Sequence, residues 1–214
     1  MRNVRVFFKK KGNMKFVSHL DMNRFMIRMV RMSGIPVWYS EGFNPHPYLT
    51  FALPLSLGFE SEYDIMDFRV NDDEYPNSEI IKRLRELMPA GIELISCCDP
   101  IMKTGDIAYA DFYIEFGDAF AQHIKNFEDF LSSERIETEK KTKKGGVKTV
   151  DIKEFIKSYS LSETGINITL AAGGSNNLNP KLLLDAFENK FQTSLPPYSV
   201  TRQNLYNSHM LLFK

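Results

Sequence analysis

The chain has 214 residues, 43% hydrophobic and 13% aromatic, with 27 Lys/Arg balanced by 27 Asp/Glu. That apolar content buries a core and excludes wholesale disorder, while the zero net charge excludes a uniformly basic nucleic-acid coat. Two adjacent cysteines, Cys97 and Cys98, exclude a disulfide framework, and no apolar run reaches membrane-span length. The basic start MRNVRVFFKKKG lacks a signal-peptide core, so the expected compartment is the cytoplasm.

Charge is unevenly placed. Residues 1–58 carry nine Lys/Arg against Asp21 and Glu41, and residues 59–100 carry four against eleven carboxylates. A polarity of this kind either faces a partner or is neutralised where opposite patches meet inside the fold.

In chain order, residues 4–9 alternate β-branched and aromatic side chains and predict a strand, with 14–17 extending it or pairing with it across Lys11-Gly12-Asn13. Ser18 and Asp21 predict the capped start of a helix that Gly34 and Pro36 terminate near Ser33. A strand over 36–40, a Gly/Asn/Pro-rich loop over 41–48, an apolar run over 49–57 and an alternating strand over 63–70 follow. A helix over 78–88 and a strand over 92–97 complete a β-α-β-β-α-β order, the split βαβ pattern of a ferredoxin-like domain.

The second half repeats that order loosely: a strand over 109–116, a helix over 118–132, a hairpin over 136–152 turning at Gly145-Gly146, and an extended 155–161. A strand over 166–171, a helix opened by Asn179-Pro180 and a strand over 198–206 close the chain. The expected class is therefore α+β, with two ferredoxin-like halves (1–100 and 107–214), mostly antiparallel sheets, and helices on one face.

Three features carry candidate chemistry. Arg24, Arg28 and Arg31 recur at i, i+4 and i+7, which lines three guanidiniums along one exposed helix stripe suited to successive phosphates; a solvated face is the plainer explanation. The run from Trp38 to Tyr48 is stiffened by Pro45 and Pro47 and turned at Gly42. It displays Tyr39, Ser40, Phe43, Asn44 and His46 for stacking on bases or bonding their edges, unless the aromatics simply plug the sheet. Lys141, Lys143 and Lys144 sit near a Gly-Gly turn and either reach along a nucleic-acid backbone or guard an edge strand.

Phosphate-binding glycine loops, cluster cysteines and metal-ligand histidine spacing are all missing, so no cofactor or metal is expected. No residue is assigned as catalytic; His19, His46 and Tyr39 are the candidates if the fold converges them for metal-free RNA cleavage.

The residues so assembled resemble one family. Ser18-His19-Leu20-Asp21 with Arg24 and Arg28, then Tyr39-Ser40-x-Gly42-Phe43-Asn44-Pro45-His46-Pro47, then Leu53-Pro54-Leu55-x-Leu57-Gly58 and Glu60-Ser61, are similar to the uncharacterised radical-SAM-linked domain family. Val150-Asp151-Ile152, Asn179-Pro180 and Arg202-x-x-Leu205-Tyr206 fit its later pattern. Tyr48 stands where that family commonly has a basic residue, and Asn179 where it has an arginine. The resemblance implies a domain that stands alone or is fused to radical-SAM, cobalamin-binding proteins, with a further association with ribonuclease E/G. It assigns no activity.

The function expected from these readings is a non-catalytic RNA-binding module for rRNA or tRNA. Ser18, His19, Gly42 and the residues named above would form its surface, beside an RNA-processing or RNA-modifying partner. A protein adaptor for a separate radical-SAM enzyme and a metal-independent ribonuclease are the alternatives.

Overall fold

The computed structural model describes residues 1–141, 146–174 and 176–214. The protein is α+β, its strands pair mostly antiparallel, and it divides into two units, Met1–Thr104 with Lys214, and Gly105–Phe213.

In the first unit, β1 (Arg2–Lys10) turns Val4, Val6 and Phe8 to one side, where all three are fully buried. A 3-10 turn (Gly12–Phe16) leads to α1 (His19–Met32), followed by β2 (Leu49–Phe51), β3 (Glu60–Val70), α2 (Asn77–Arg85) and β4 (Ile92–Cys98). The strands lie in the order β4-β1-β3-β2. Met22, Met26 and Val30 of α1 and Ile80 and Leu84 of α2 pack on the buried side of β1, β3 and β4. Their helical spacing is what makes both helices amphipathic.

On the other side of this sheet Arg5 is buried and makes a two-pronged bond to Asp67, at 2.8 and 2.7 Å, and donates to the Met102 carbonyl at 2.9 Å. A guanidinium removed from water needs this complete set of acceptors.

Three local expectations are corrected. Residues 14–17 form no strand: Met14 and Val17 donate back to Lys11 and Met14, closing the 3-10 turn. The turn sits tightly against Gly91, where an added Cβ would lie 2.5 Å from the Lys11 carbonyl oxygen; only glycine fits at that φ of +92°. Residues 36–40 make only isolated bridges, Val37 to Val70 and Tyr39 to Pro47, and the second strand is Leu49–Phe51 instead. Pro36 has no N–H, and Val37 turns back to donate to Ile35 at 2.7 Å, so a regular ladder never starts. The second helix stops at Arg85, short of the expected Met88, with Leu87 and Met88 donating three residues back to Leu84 and Arg85 in a tightened end.

The second unit runs β5 (Ile107–Glu115), a 3-10 stretch (Gly117–His123) entering α3 (Ile124–Ser132), the hairpin β6 (Glu137–Lys141) and β7 (Val147–Asp151), β8 (Ile156–Leu161), β9 (Gly165–Ala171), α4 (Pro180–Phe191) and β10 (Ser199–Asn207). Its main strands lie in the order β10-β5-β9-β8, so with the β6-β7 hairpin set aside each unit places its last strand beside its first, then its third and second. The helix expected over 118–132 begins as 3-10, with Phe120 stacked flat on Phe116 at 4.8 Å. Asn179 caps α4 by accepting from the Lys181 N–H at 2.9 Å, with Pro180 at the first position. Phe127 and Phe187, both fully buried, stack at 3.7 Å in the core between α3 and α4.

Among the described residues, no helix is long and apolar enough to cross a membrane.

Candidate nucleic-acid interface

α1 is anchored by its cap. Ser18 Oγ accepts from the Asp21 N–H at 3.2 Å and donates to the Asp21 carboxylate at 2.7 Å, a reciprocal arrangement that occupies both side chains. Ser18 is therefore a structural residue, and His19 rests edge-on against Phe51 at 5.3 Å with the rest of its ring exposed. The Met22/Met26/Val30 face turns inward, which forces Arg24, Arg28 and Arg31 outward, and all three are exposed.

Those three arginines, with Ile27, Met32 and Tyr39, line one open depression of about 690 Å³. Arg24 has a single exposed ion pair, to Asp21 at 3.4 Å. Arg28 and Arg31 make no hydrogen bond or ion pair among the described residues. The groove thus offers two guanidinium forks without an acidic partner among the described residues, and a third paired at an exposed edge, beside one aromatic ring: a surface of local positive excess.

Tyr39 belongs to a short two-stranded ribbon over residues 38–48. Ser40 N–H donates to the His46 carbonyl at 2.9 Å and Tyr48 N–H to that of Trp38 at 3.4 Å, with Tyr39 opposite Pro47 between them. Side chains alternate along such a ribbon. Tyr39 and Pro47 turn to the helix side, towards α1. Trp38, Ser40, His46 and Tyr48 turn to the other, as the Trp38–Tyr48 ring contact (6.2 Å) and the Ser40 Oγ to His46 Nδ1 distance (3.2 Å) require. At the tip, Gly42 holds a φ of +119° and Phe43 is wholly exposed.

The loop residues therefore do not form one display. Tyr39 joins the arginines, His46 and Ser40 face away from them, and Phe43 is exposed at the tip. Of the trio His19, His46 and Tyr39, the last two stand on opposite sides of the ribbon. Of the basic hairpin, Lys141 ends β6, while Lys143 and Lys144 lie outside the described residues.

Elsewhere the reactive groups are engaged or muted. Burial pushes the Cys97 thiol up to about 12 and raises Cys98 as well, so neither supplies a thiolate near neutrality. Among the described residues, no group of three His, Cys, Asp or Glu is placed to hold a metal ion. Asp111 accepts from Thr169 Oγ1 at 2.6 Å and from Tyr206 at 2.7 Å, and burial together with that bond pushes the Tyr206 phenol up to about 12.

Sequence reasoning missed Arg69. Its guanidinium lies over the rings of both Trp38 (5.3 Å) and Tyr48 (4.9 Å), and its Nε donates to Asn3 at 3.1 Å. The outward parity of Arg69 in β3 was available from the alternation, but its partners depend on the ribbon's register.

A family model described as an uncharacterized protein conserved in bacteria (DUF2344) matches residues 3–180. The chain belongs to this family. The DUF2344 match spans α1, the ribbon and Asp151, and stops before β10, which carries the buried Arg202 and the half-buried Tyr206. Within the matched stretch of this DUF2344 chain, Asp151 is a structural clip: its Oδ1 accepts from the Ile136 and Lys153 N–H groups, each at 3.0 Å, and holds the base of the β6-β7 hairpin. No curated protein matches the chain.

Proposed function

We propose that this DUF2344 protein is an RNA-binding module without chemistry of its own. RNA phosphates would lie along Arg24, Arg28 and Arg31, with a base against Tyr39. The observation that carries the reading is the groove itself: three exposed guanidiniums, two of them without any partner among the described residues, in one open depression with an aromatic wall. Arginine forks take phosphate oxygens two at a time, and an aromatic wall suits an unpaired base.

The wider setting follows from the family resemblance: a cytoplasmic protein acting with an RNA-modifying radical-SAM or ribonuclease E/G partner. The reading of each unit as a ferredoxin-like half is supported by the shared strand order.

The test is fluorescence anisotropy with labelled rRNA and tRNA fragments over a salt series. Wild-type affinity should fall steeply with salt, and Arg24→Glu/Arg28→Glu should abolish binding at moderate salt without lowering the melting temperature. Unchanged affinity in that variant overturns the proposal.

A second reading, an adaptor that docks on a radical-SAM enzyme, is favoured by one observation. Met32 and Leu20 are 57% and 59% exposed beside the arginines, and methionine, aromatic and arginine side chains are the types enriched at protein interfaces. A protein partner that co-purifies after nuclease treatment and is released by Met32→Asp would favour it.

A further inference from the structure

The ribbon has two faces, and only one belongs to the arginine groove. On the sheet side, opposite the helices, the Arg69 guanidinium lies over two aromatic rings that stand 68° to each other and is tied by its Nε bond to Asn3, while the backbone carbonyl of Arg69 receives the Trp38 N–H at 2.9 Å. Its two Nη groups make no hydrogen bond or ion pair among the described residues. A guanidinium confined by two rings and one Nε hydrogen bond, with its Nη edge unused, is a pre-set fork for a phosphate. Beside it, Tyr48 is 44% exposed and offers the outer part of its ring.

His46 adds a directed acceptor. Its Nδ1 lies 3.0 Å from the Asn44 carbonyl oxygen, which has no proton to give, so Nδ1 carries the hydrogen. Ser40 Oγ, 3.2 Å from the same nitrogen and itself accepting the His46 N–H at 3.3 Å, clamps the ring from the other strand. In the neutral imidazole, Nε2 is then a bare acceptor on an exposed ring. It suits a partner that brings a donor: a sugar hydroxyl or an exocyclic base amine.

We propose that this sheet-side face is a second nucleotide subsite. Arg69 takes a phosphate, Tyr48 a base, and His46 Nε2 a hydrogen bond from the same nucleotide, and one RNA strand reaches the subsite from the α1 groove by crossing the ribbon tip at Phe43. The inference rests on the RNA reading above and goes further by giving the strand a path and a second set of contacts.

Oligouridylates and oligocytidylates of increasing length, in ribose and deoxyribose forms, test it by anisotropy on the whole protein. Wild type should gain affinity once the oligomer outgrows the α1 groove. Arg69→Gln should remove that gain, about tenfold for one charge-assisted fork, and reduce the salt slope on the long oligomer by about 0.7. Short oligomers should bind the variant as they bind wild type. Arg69→Lys, which keeps the charge but not the planar fork, should recover the salt slope without the full affinity.

Equal weakening of short and long oligomers by Arg69→Gln, or no weakening, overturns the subsite while leaving the groove intact. Short oligomers that bind Arg24→Glu/Arg28→Glu as tightly as wild type overturn the groove reading instead. For His46, a sugar donor makes ribose forms bind tighter than deoxyribose forms, and a base donor makes cytidylate bind tighter than uridylate in both. Either preference should vanish in His46→Phe; a wild type showing neither, or a variant keeping one, overturns the role of His46.

Discussion

The two units share a strand order and differ in what they leave unsatisfied. In the second unit one set of polar groups forms a connected chain. Ser158 donates to Thr169, Thr169 and Tyr206 donate to Asp111, and the Asp151 carboxylate closes the hairpin base. Its core is built from stacked and edge-on phenylalanines. In the first unit the buried Arg5 is equally well matched, yet Arg28, Arg31 and the Nη edge of Arg69 make no hydrogen bond or ion pair among the described residues. One framework supports both outcomes, so the strand order alone carries no function. On the proposed reading, recognition lies in the groups the fold has oriented and left unbonded.

The contrast can be broken by substitution. The largest effect belongs to Phe187→Ala, which empties the stacked core between α3 and α4 and should cost about 3–5 kcal/mol in denaturant unfolding, leaving the RNA affinity of the folded fraction unchanged. Asp111→Ala strands two hydroxyl donors and should cost about 1–3 kcal/mol, again without altering binding.

Acid acts next, through Asp151, whose carboxyl is held below its usual range chiefly by the backbone N–H groups of Lys153 and Ile136. A depressed carboxylate contributes stability above its unfolded value, and that contribution is lost as pH falls through the folded one. The hairpin amides should therefore lose hydrogen-exchange protection below about pH 4, near the unfolded aspartate value, and Asp151→Asn should flatten that pH dependence. Ser18→Ala removes the α1 cap and should cost about 1 kcal/mol in thermal unfolding. Arg28→Ala should change stability least, within about 0.5 kcal/mol, and weaken RNA binding most relative to its structural cost. If it destabilises as much as Asp111→Ala, the distinction between the two units fails.

Much of α1 was legible beforehand. Ser18, the methionine period, the arginine stripe and the stop at Gly34 are local signals, and each is set by helix geometry. The ribbon was not, because its register depends on isolated bridges that Pro36, Pro45 and Pro47 leave behind. Without that register, Tyr39 and His46 read as neighbours in one display, whereas a shift of one residue separates them onto opposite faces. Arg69 was invisible for the same reason: an outward arginine on a strand gains meaning only when two rings from elsewhere settle over it.

The protonated, poorly nucleophilic state of Cys97 and Cys98 has a practical consequence. A third thiol introduced by Phe43→Cys would stand in open water and ionise more readily than the resident pair, both of which burial pushes up. A maleimide dye added at neutral pH should then label the ribbon tip selectively, without first deleting the native pair. That places a fluorescent reporter where an approaching strand would have to pass.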